Sequence, residues 1–554
     1  MRKLFILPFV LLPAKLVLAQ LPKLDNPLDI APSLSGNFGE LRPNHFHGGL
    51  DLKTAGVENL EVHSVDTGYV SRIKVSPYGY GKALYIDHPN GYTTVYGHLN
   101  SYNKEITAYL KKAQYEQQSF SVDIYPGKGD LPISKGEIVA LSGNTGGSGG
   151  PHLHFEIRET KSEVPRNPLL FNFPVSDSKK PVIEAVGIKP LNQNSTVSGS
   201  HRTQHFRTTQ SSVSAAQPIK VNGVFGIEIM GYDQQDGSDN RNGIYRAELY
   251  VDGKIIGRFT ADSIPFDQSR YLNALIDYGY YYDSKSRFMR LYRLPGNALE
   301  NVRFENSGYL KLSPGIHQIE VKALDVSGNS TKHSFSVVVE DEHSDEAKPV
   351  EMLLWNANYM YESESVKIFV PKGAIYDSEP LSISEPDGTS NLSSIVEFMN
   401  TSIPLQFPIS ISLKVSEHKQ GMIIARVSKS GQPINALETT HNGEWLEAES
   451  KQFGRFAVVI DNVAPKLVSL NLRSGQELNH GTLNFTVSDD LSGIQSFRVM
   501  ANEQWVLAEY EPKKNLLFVS IDELPTSEEP QQLTVEVTDG AGNVSTFEAS
   551  FFKR

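Results

Sequence analysis

Five residues in the first third of the chain have the types and spacings of a hydrolytic metal site. His47-Gly48-Gly49-Leu50-Asp51 sets an imidazole and a carboxylate four residues apart across a glycine pair, and Tyr96-Gly97-His98-Leu99 adds a second imidazole. A glycine-rich lead from Ser142 to Gly150 then runs into Pro151-His152-Leu153-His154-Phe155-Glu156. On a strand, residues two apart share a face, so His152 and His154 project side by side while Leu153 and Phe155 turn toward packing. Imidazole nitrogens and one carboxylate suit a divalent ion such as Zn2+, and three protein donors leave a fourth position for water, the mark of a catalytic site. Histidines left over from such a set can move a proton and steady an oxyanion. The chain contains no cysteine. Thiolate metal sites, disulfides and a lipobox anchor are therefore excluded.

The elements that must position these residues read as β-structure. Over 33–158, short apolar or alternating runs such as Gly68-Tyr69-Val70-Ser71-Arg72-Ile73 and Ala83-Leu84-Tyr85-Ile86-Asp87 are divided by glycines. Pro89-Asn90-Gly91 predicts a hairpin turn. Residues 104–118 are polar and glycine-free, and predict one inserted helix. Residues 192–217, rich in Ser, Thr and Gln, read as a flexible loop or linker.

Beyond that stretch a pattern recurs. Asp325-Val326-Ser327-Gly328-Asn329 and Asp539-Gly540-Ala541-Gly542-Asn543 each follow an alternating strand, and the runs leading to Asp233 and to Asp489-Asp490 match in the same way. Two β-sandwich domains related by repetition are expected, with a further β module between them over 348–460. The Asp-x-x-Gly-Asn turns are explained by turn chemistry, since Asp, Gly and Asn serve tight connections, in preference to calcium binding.

At 554 residues and 39% hydrophobic, the chain is long and apolar enough for several cores. Its formal charge of −12 is spread without a basic stripe, which argues against a nucleic-acid partner. Arg2 and Lys3 precede the apolar run 4–12, and Val17 and Ala19 suit a cleavage site, so 1–19 reads as a signal peptide. No other stretch approaches membrane-spanning length, and the mature chain is expected to lack a transmembrane span.

Residues 36–158 resemble the lysostaphin-type (LytM-like) zinc metallopeptidases, which act on peptidoglycan. The resemblance rests on the ordered motifs H-x-x-x-D, Y-x-H-L and H-x-H, on the opening Gly36-Asn37-Phe38-Gly39-Glu40-Leu41-Arg42, and on the glycine-rich lead before His152. It implies Zn2+ as cofactor, His47, Asp51 and His154 as its ligands, His152 as general base and His98 as the partner that steadies the oxyanion. Which of the two histidines takes the proton is left open. The helical stretch inserted between His98 and His152 is a departure from the pattern, and is expected to form one wall of the substrate groove.

The resulting expectation is an all-β protein, a LytM-like β-sheet peptidase domain followed by Ig-like β-sandwich modules. The units are a peptidase domain over 20–175, a sandwich over 181–345 that carries the polar loop 192–217, the β module over 348–460, and a second sandwich over 461–554. The function expected is an exported zinc endopeptidase, periplasmic or secreted, that cleaves peptide stems or cross-links of peptidoglycan. Wall or envelope proteins are the partners expected for the carboxy-terminal modules. The rival reading is a non-catalytic wall-binding activator or adhesion protein that works through those modules. Other histidines carry less. His201 and His205 have helical metal-pair spacing without the companion glutamate, and His45, His63 and His88 read as surface or packing residues.

Overall fold

The computed structural model describes residues 21–215, 218–340, 350–386 and 392–554. The segment read as a signal peptide, 1–19, lies outside the described residues. Among those described, no helix is long and apolar enough to cross a membrane.

The first unit is built on a nine-stranded sheet. Its path runs Leu34–Gly36, Leu50–Lys53, His152–Glu159, Tyr92–Leu99, Lys82–Asp87, Gly68–Val75, Val122–Ile124. Alternation sorts these strands. Leu50, Leu52, Tyr96, Leu153, Phe155 and Ile157 are essentially fully buried in one core, which leaves the opposite face of the central strands for polar side chains. The predicted hairpin forms between Lys82–Asp87 and Tyr92–Leu99, where Gly91 takes a positive φ of 85°. The predicted helix spans Lys104–Gln117. Asn103 caps it by accepting from the Ile106 amide, and left-handed Gln118 ends it. One face buries Ile106 and Leu110. The other, expected to wall a groove, carries the last unit of the chain: Tyr115 packs edge-on against Trp505 at 5.1 Å and donates to Glu523 at 2.7 Å, and Lys111 pairs with the same carboxylate.

Three further β-rich cores follow. One gathers residues from Ile183 to Val339 between a four-stranded and a seven-stranded sheet. Another gathers Leu353 to Val458 between two five-stranded sheets. The last gathers Leu472 to Phe551 between a four-stranded and a five-stranded sheet. The second and fourth cores share a detail of topology: in each, one strand joins the final strand in parallel, Ile219–Asn222 on Ser330–Val339 and Gln476–Glu477 on Val544–Lys553. The stretch 192–217 departs from the expected loop. It holds the strands Thr196–Val197 and Gln204–Arg207, and the latter pairs with Val182–Pro190. An open sheet edge satisfies backbone groups whatever the side chains are, and here it outweighs a polar composition. His205 therefore lies on a strand, stacked near Tyr280 and Phe288, and makes no helical pair with His201.

Gly49 shows how tightly the site strands approach. A Cβ there would stand 2.3 Å from the Phe155 carbonyl oxygen. Gly49→Ala is expected to cost on the order of 2 kcal/mol, read as a lower unfolding midpoint in urea. A variant as stable as the parent would show that this close approach does not fix the register.

Candidate metal centre

Two ladders place the site. His154 stands directly opposite Asp51 on one neighbouring strand and opposite Gly97 on the other. Facing residues share a side of the sheet, so Asp51 and His154 meet, and Gly97 leaves the imidazole room; a Cβ there would come within 3.3 Å of His154 Cβ. His98 would alternate into the core with Tyr96. It does not, because the register against Lys82–Asp87 slips by one residue there and His98 takes φ 59°, a left-handed conformation that turns its ring back to the site face. His47 arrives from a loop, held by backbone bonds to Gly39 and Glu40.

Three donor atoms converge. His47 Nε2 lies 2.9 Å from Asp51 Oδ1, His154 Nδ1 lies 3.0 Å from the same oxygen, and the two nitrogens are 3.0 Å apart. All three residues are buried. His152 Nε2 approaches the same Asp51 oxygen at 3.3 Å, and the His98 ring stands 4.8 Å from that of His152 and 5.8 Å from that of His154.

The surrounding acceptors fix which nitrogen of each ring carries hydrogen. His47 Nδ1 donates to the Asn37 carbonyl and His152 Nδ1 to the Gly150 carbonyl, both at 2.8 Å. His98 Nδ1 donates to the Thr145 carbonyl, and His154 Nε2 to Glu156 Oε1, also at 2.8 Å. Each ring is left with a lone pair facing the site. His47 Nε2 and His154 Nδ1 thus meet lone pair to lone pair at 3.0 Å, an arrangement that needs a proton or a cation between them. Tetrahedral zinc, with bonds of about 2.0–2.1 Å, spaces its ligands by roughly 3.3 Å. The donor set fits a small divalent ion.

The charges agree with that fit. Burial would raise Asp51, but His47, then His152 and His154, packed around it outweigh burial and hold the carboxyl well below its usual range. Arg42 adds a bond at 2.8 Å to Asp51 Oδ2. Burial likewise opposes ionisation of Glu156, yet Arg158 and His154 bring it down to about 2. The Glu156 anion is held by Arg158 Nε at 2.6 Å and by the Tyr80 hydroxyl at 2.5 Å. Burial, then His154 and His152, push His98 down to about 3.

All five predicted site residues are therefore brought together. Several others were missed by sequence reasoning: Asn37, Arg42, Tyr80, Glu156, and the carbonyls of Thr145 and Gly150. Glu156 had a signal, since the alternation that pairs His152 with His154 continues to Glu156 and Arg158 on the same face. Arg42 closes the opening motif 36–42 and reaches Asp51 from a hairpin nine residues away, whereas Tyr80 had no signal, because long-range packing delivers it. Among the remaining histidines, His88 is buried and bonds to Thr67 and Thr94, and His63 pairs with Asp29 at 3.1 Å.

Known proteins resemble this unit and one other. Residues 45–115 match the family model of Peptidase family M23, and residues 350–461 match that of a Zu5-like domain. An uncharacterized metalloprotease of Haemophilus influenzae is 31% identical over 140 residues, 25% of this chain and 23% of that protein. The DD-carboxypeptidase/endopeptidase Mpg of Neisseria meningitidis serogroup B is 28% identical over 131 residues, 24% of each chain. The chain thus spans about a quarter of the length of these curated relatives. A solved structure, a zinc containing peptidase from Vibrio cholerae, is 26% identical over 26% of this chain and 39% of its own, with a TM-score of 0.20. The amino-terminal unit carries a Peptidase family M23 domain. Its motifs place it with the lysostaphin-type, LytM-like members of that family.

Glu156 fixes the orientation of His154 from behind, and such partners typically contribute 10–100-fold to metal affinity. Glu156→Gln is expected to weaken zinc binding by about that factor in competition with a chromophoric chelator. An unchanged affinity would remove Glu156 from the site's support.

Proposed function

We propose that this chain is an exported zinc metalloendopeptidase that hydrolyses peptide bonds in the stems or cross-links of peptidoglycan. The observation that carries the reading is the set of inward lone pairs on four histidines around a buried, ionised Asp51. His47, Asp51 and His154 would hold Zn2+, which when bound supplies a Lewis acid for a peptide carbonyl and its attacking water.

The chain's own residues divide the remaining work. His152 and His98 both donate Nδ1–H outward, so both begin as acceptors at Nε2. His152, nearer the Asp51 carboxylate, takes the proton of the attacking water. A ring that has taken a proton becomes a donor, and can pass that proton to the leaving amine. His98 can steady an oxyanion by donation only once it also carries two hydrogens, so its role follows proton uptake and does not precede it. The carbonyls of the glycine-rich lead, at Thr145 and Gly150, set both tautomers. Lys513 of the last unit in turn holds that lead, bonding to the carbonyls of Asn144 and of Ser148, the latter at 3.0 Å.

We further propose that the signal segment delivers the enzyme to the periplasm or the medium. The β modules would present the catalytic unit to the wall or to envelope proteins. The DD-endopeptidase and DD-carboxypeptidase names of the relatives support a direct cross-link, with its D-residues, over a glycine bridge.

Digestion of purified sacculi tests the reading. The mature protein is expected to release muropeptides with newly freed peptide ends, and a zinc chelator should abolish this until zinc is restored. His152→Ala is expected to slow release by about 10²–10⁴-fold. Equal products from parent and variant would sink the catalytic reading, and binding to sacculi without any release would favour the activator or adhesion alternative.

A further inference from the structure

A second group of oxygen ligands lies outside the peptidase site, where the first unit joins the second. Asp177 sits in the segment between Phe173 of the first core and the strand Val182–Pro190. Asp233 follows the strand Phe225–Tyr232, and Asp325 follows the strand Gly315–Leu324. One carboxylate oxygen from each lies within 4.8 Å of the others. Asp233 and Asp325 are 2% and 3% exposed. Among the described residues none of the three forms a salt bridge, and Lys179, the nearby cation, is spent on the Ser238 carbonyl at 2.9 Å.

Two buried oxygens here lack a donor. Asp233 Oδ1 has no hydrogen-bond partner, and neither has the amide oxygen of Asn242, itself 2% exposed. Asp233 and Asn242 face each other across a two-bond antiparallel bridge, so their side chains stand on the same side of it. A buried carboxylate oxygen and a buried amide oxygen without donors are costly unless a ligand satisfies them. Burial, with the Asp177 and Asp325 carboxylates, pushes Asp233 up to about 8, and burial with Asp325 pushes Asp177 up to about 6. A positive charge among them would relieve both.

The last unit repeats the framework and provides the contrast. Asp461, Asp489 and Asp539 occupy matching positions. Asn543 bonds there to the Asp461 carbonyl and to Asp539, as Asn329 bonds to the Asp177 carbonyl and to Asp325. Backbone amides serve the outer carboxylates of both clusters, Lys179 and Asn329 in the first and Val463 and Asn543 in the last, but the last unit adds Ser492 on Asp461, Ala541 on Asp539, and both Leu491 and Gly493 on Asp489, the counterpart of Asp233. Turn chemistry accounts for the last cluster, whereas in the first it leaves Asp233 Oδ1 without a donor.

We infer that Asp177, Asp233 and Asp325, with the amide oxygen of Asn242, form a binding site for a hard divalent cation, calcium by its preference for carboxylate and amide oxygens. The ion would tie the connecting segment to the loop that follows Asp233. That loop braces the edge of the peptidase sheet: Ser238 and Asn240 bond to the carbonyls of Leu34 and Ser35, and Gly243 exchanges two bonds of 2.8 Å with Asn37.

The test uses the full mature chain, stripped of metal, reloaded with one equivalent of zinc and titrated with calcium by calorimetry. One calcium is expected to bind in roughly the micromolar to millimolar range, to raise the melting temperature, and to slow proteolysis within 234–243. Asp177→Asn and Asp325→Asn should each weaken binding at least about tenfold, whereas Asp539→Asn should leave it unchanged. Should one of the first two variants fail to fold, the other decides, since Asp177 lies in a connecting segment outside any strand. Absence of a binding heat in the parent overturns the inference. So does binding that survives Asp177→Asn and Asp325→Asn but is lost in Asp539→Asn.

Discussion

The strand His152–Glu159 lies between Leu50–Lys53 and Tyr92–Leu99, and its register against both neighbours is the constraint on which the site depends. A slip of one residue would send every side chain of the strand to the opposite face. It would turn His152, His154, Glu156 and Arg158 into the apolar core and Leu153, Phe155 and Ile157 onto the polar face. The apolar side of the strand therefore guards the polar side. Burial of Leu153, Phe155 and Ile157, each 0% exposed, makes the slipped registers costly. Charge then accumulates along one edge in a fixed order, from imidazole to imidazole to carboxylate to guanidinium, so that each group neutralises the next.

The second unit takes part in holding the site. Phe38 and Phe46, which precede His47, are buried in the core of the second unit, Leu50, which follows it, is buried in the first, and Phe46 stacks on Phe259 at 6.2 Å. The Phe46 amide also donates to Ser269 at 3.0 Å. His47 is thus fixed from behind by a body outside the peptidase sheet. The loop can be short and glycine-rich without being loose, because its ordering entropy is offset by apolar burial on both sides of the histidine.

Much of this was legible in the residues. Period-two alternation gave the strands, Asn-Gly gave the hairpin, and the absence of glycine over 104–118 gave the helix. The pairing of His152 with His154 followed from strand geometry alone. Contributions that depend on long-range register were not legible. The bulge that turns His98 into the site is a property of two strands together, and Tyr80 reaches Glu156 from a segment 76 residues away. Composition misled at 192–217, where a sheet edge captured polar residues as a strand. The Asp-x-x-Gly-Asn turns show the same limit. Their sequence is nearly the same at 325–329 and 539–543, but whether backbone amides reach the neighbouring carboxylates is decided by the loop that follows Asp233 or Asp489.

Leu507, from the last unit, is buried in the core of the first, beside Phe497 and Trp505, which pack against it. The chain therefore closes on itself, and residues some four hundred positions apart share one apolar interior. Such contacts are slow to form, because a long loop must close before they return any energy. The sheet is built largely of local hairpins, whereas the outer surface of its helix is covered by Trp505 and Glu523. The cover of that helix thus comes from residues some four hundred positions further along the chain.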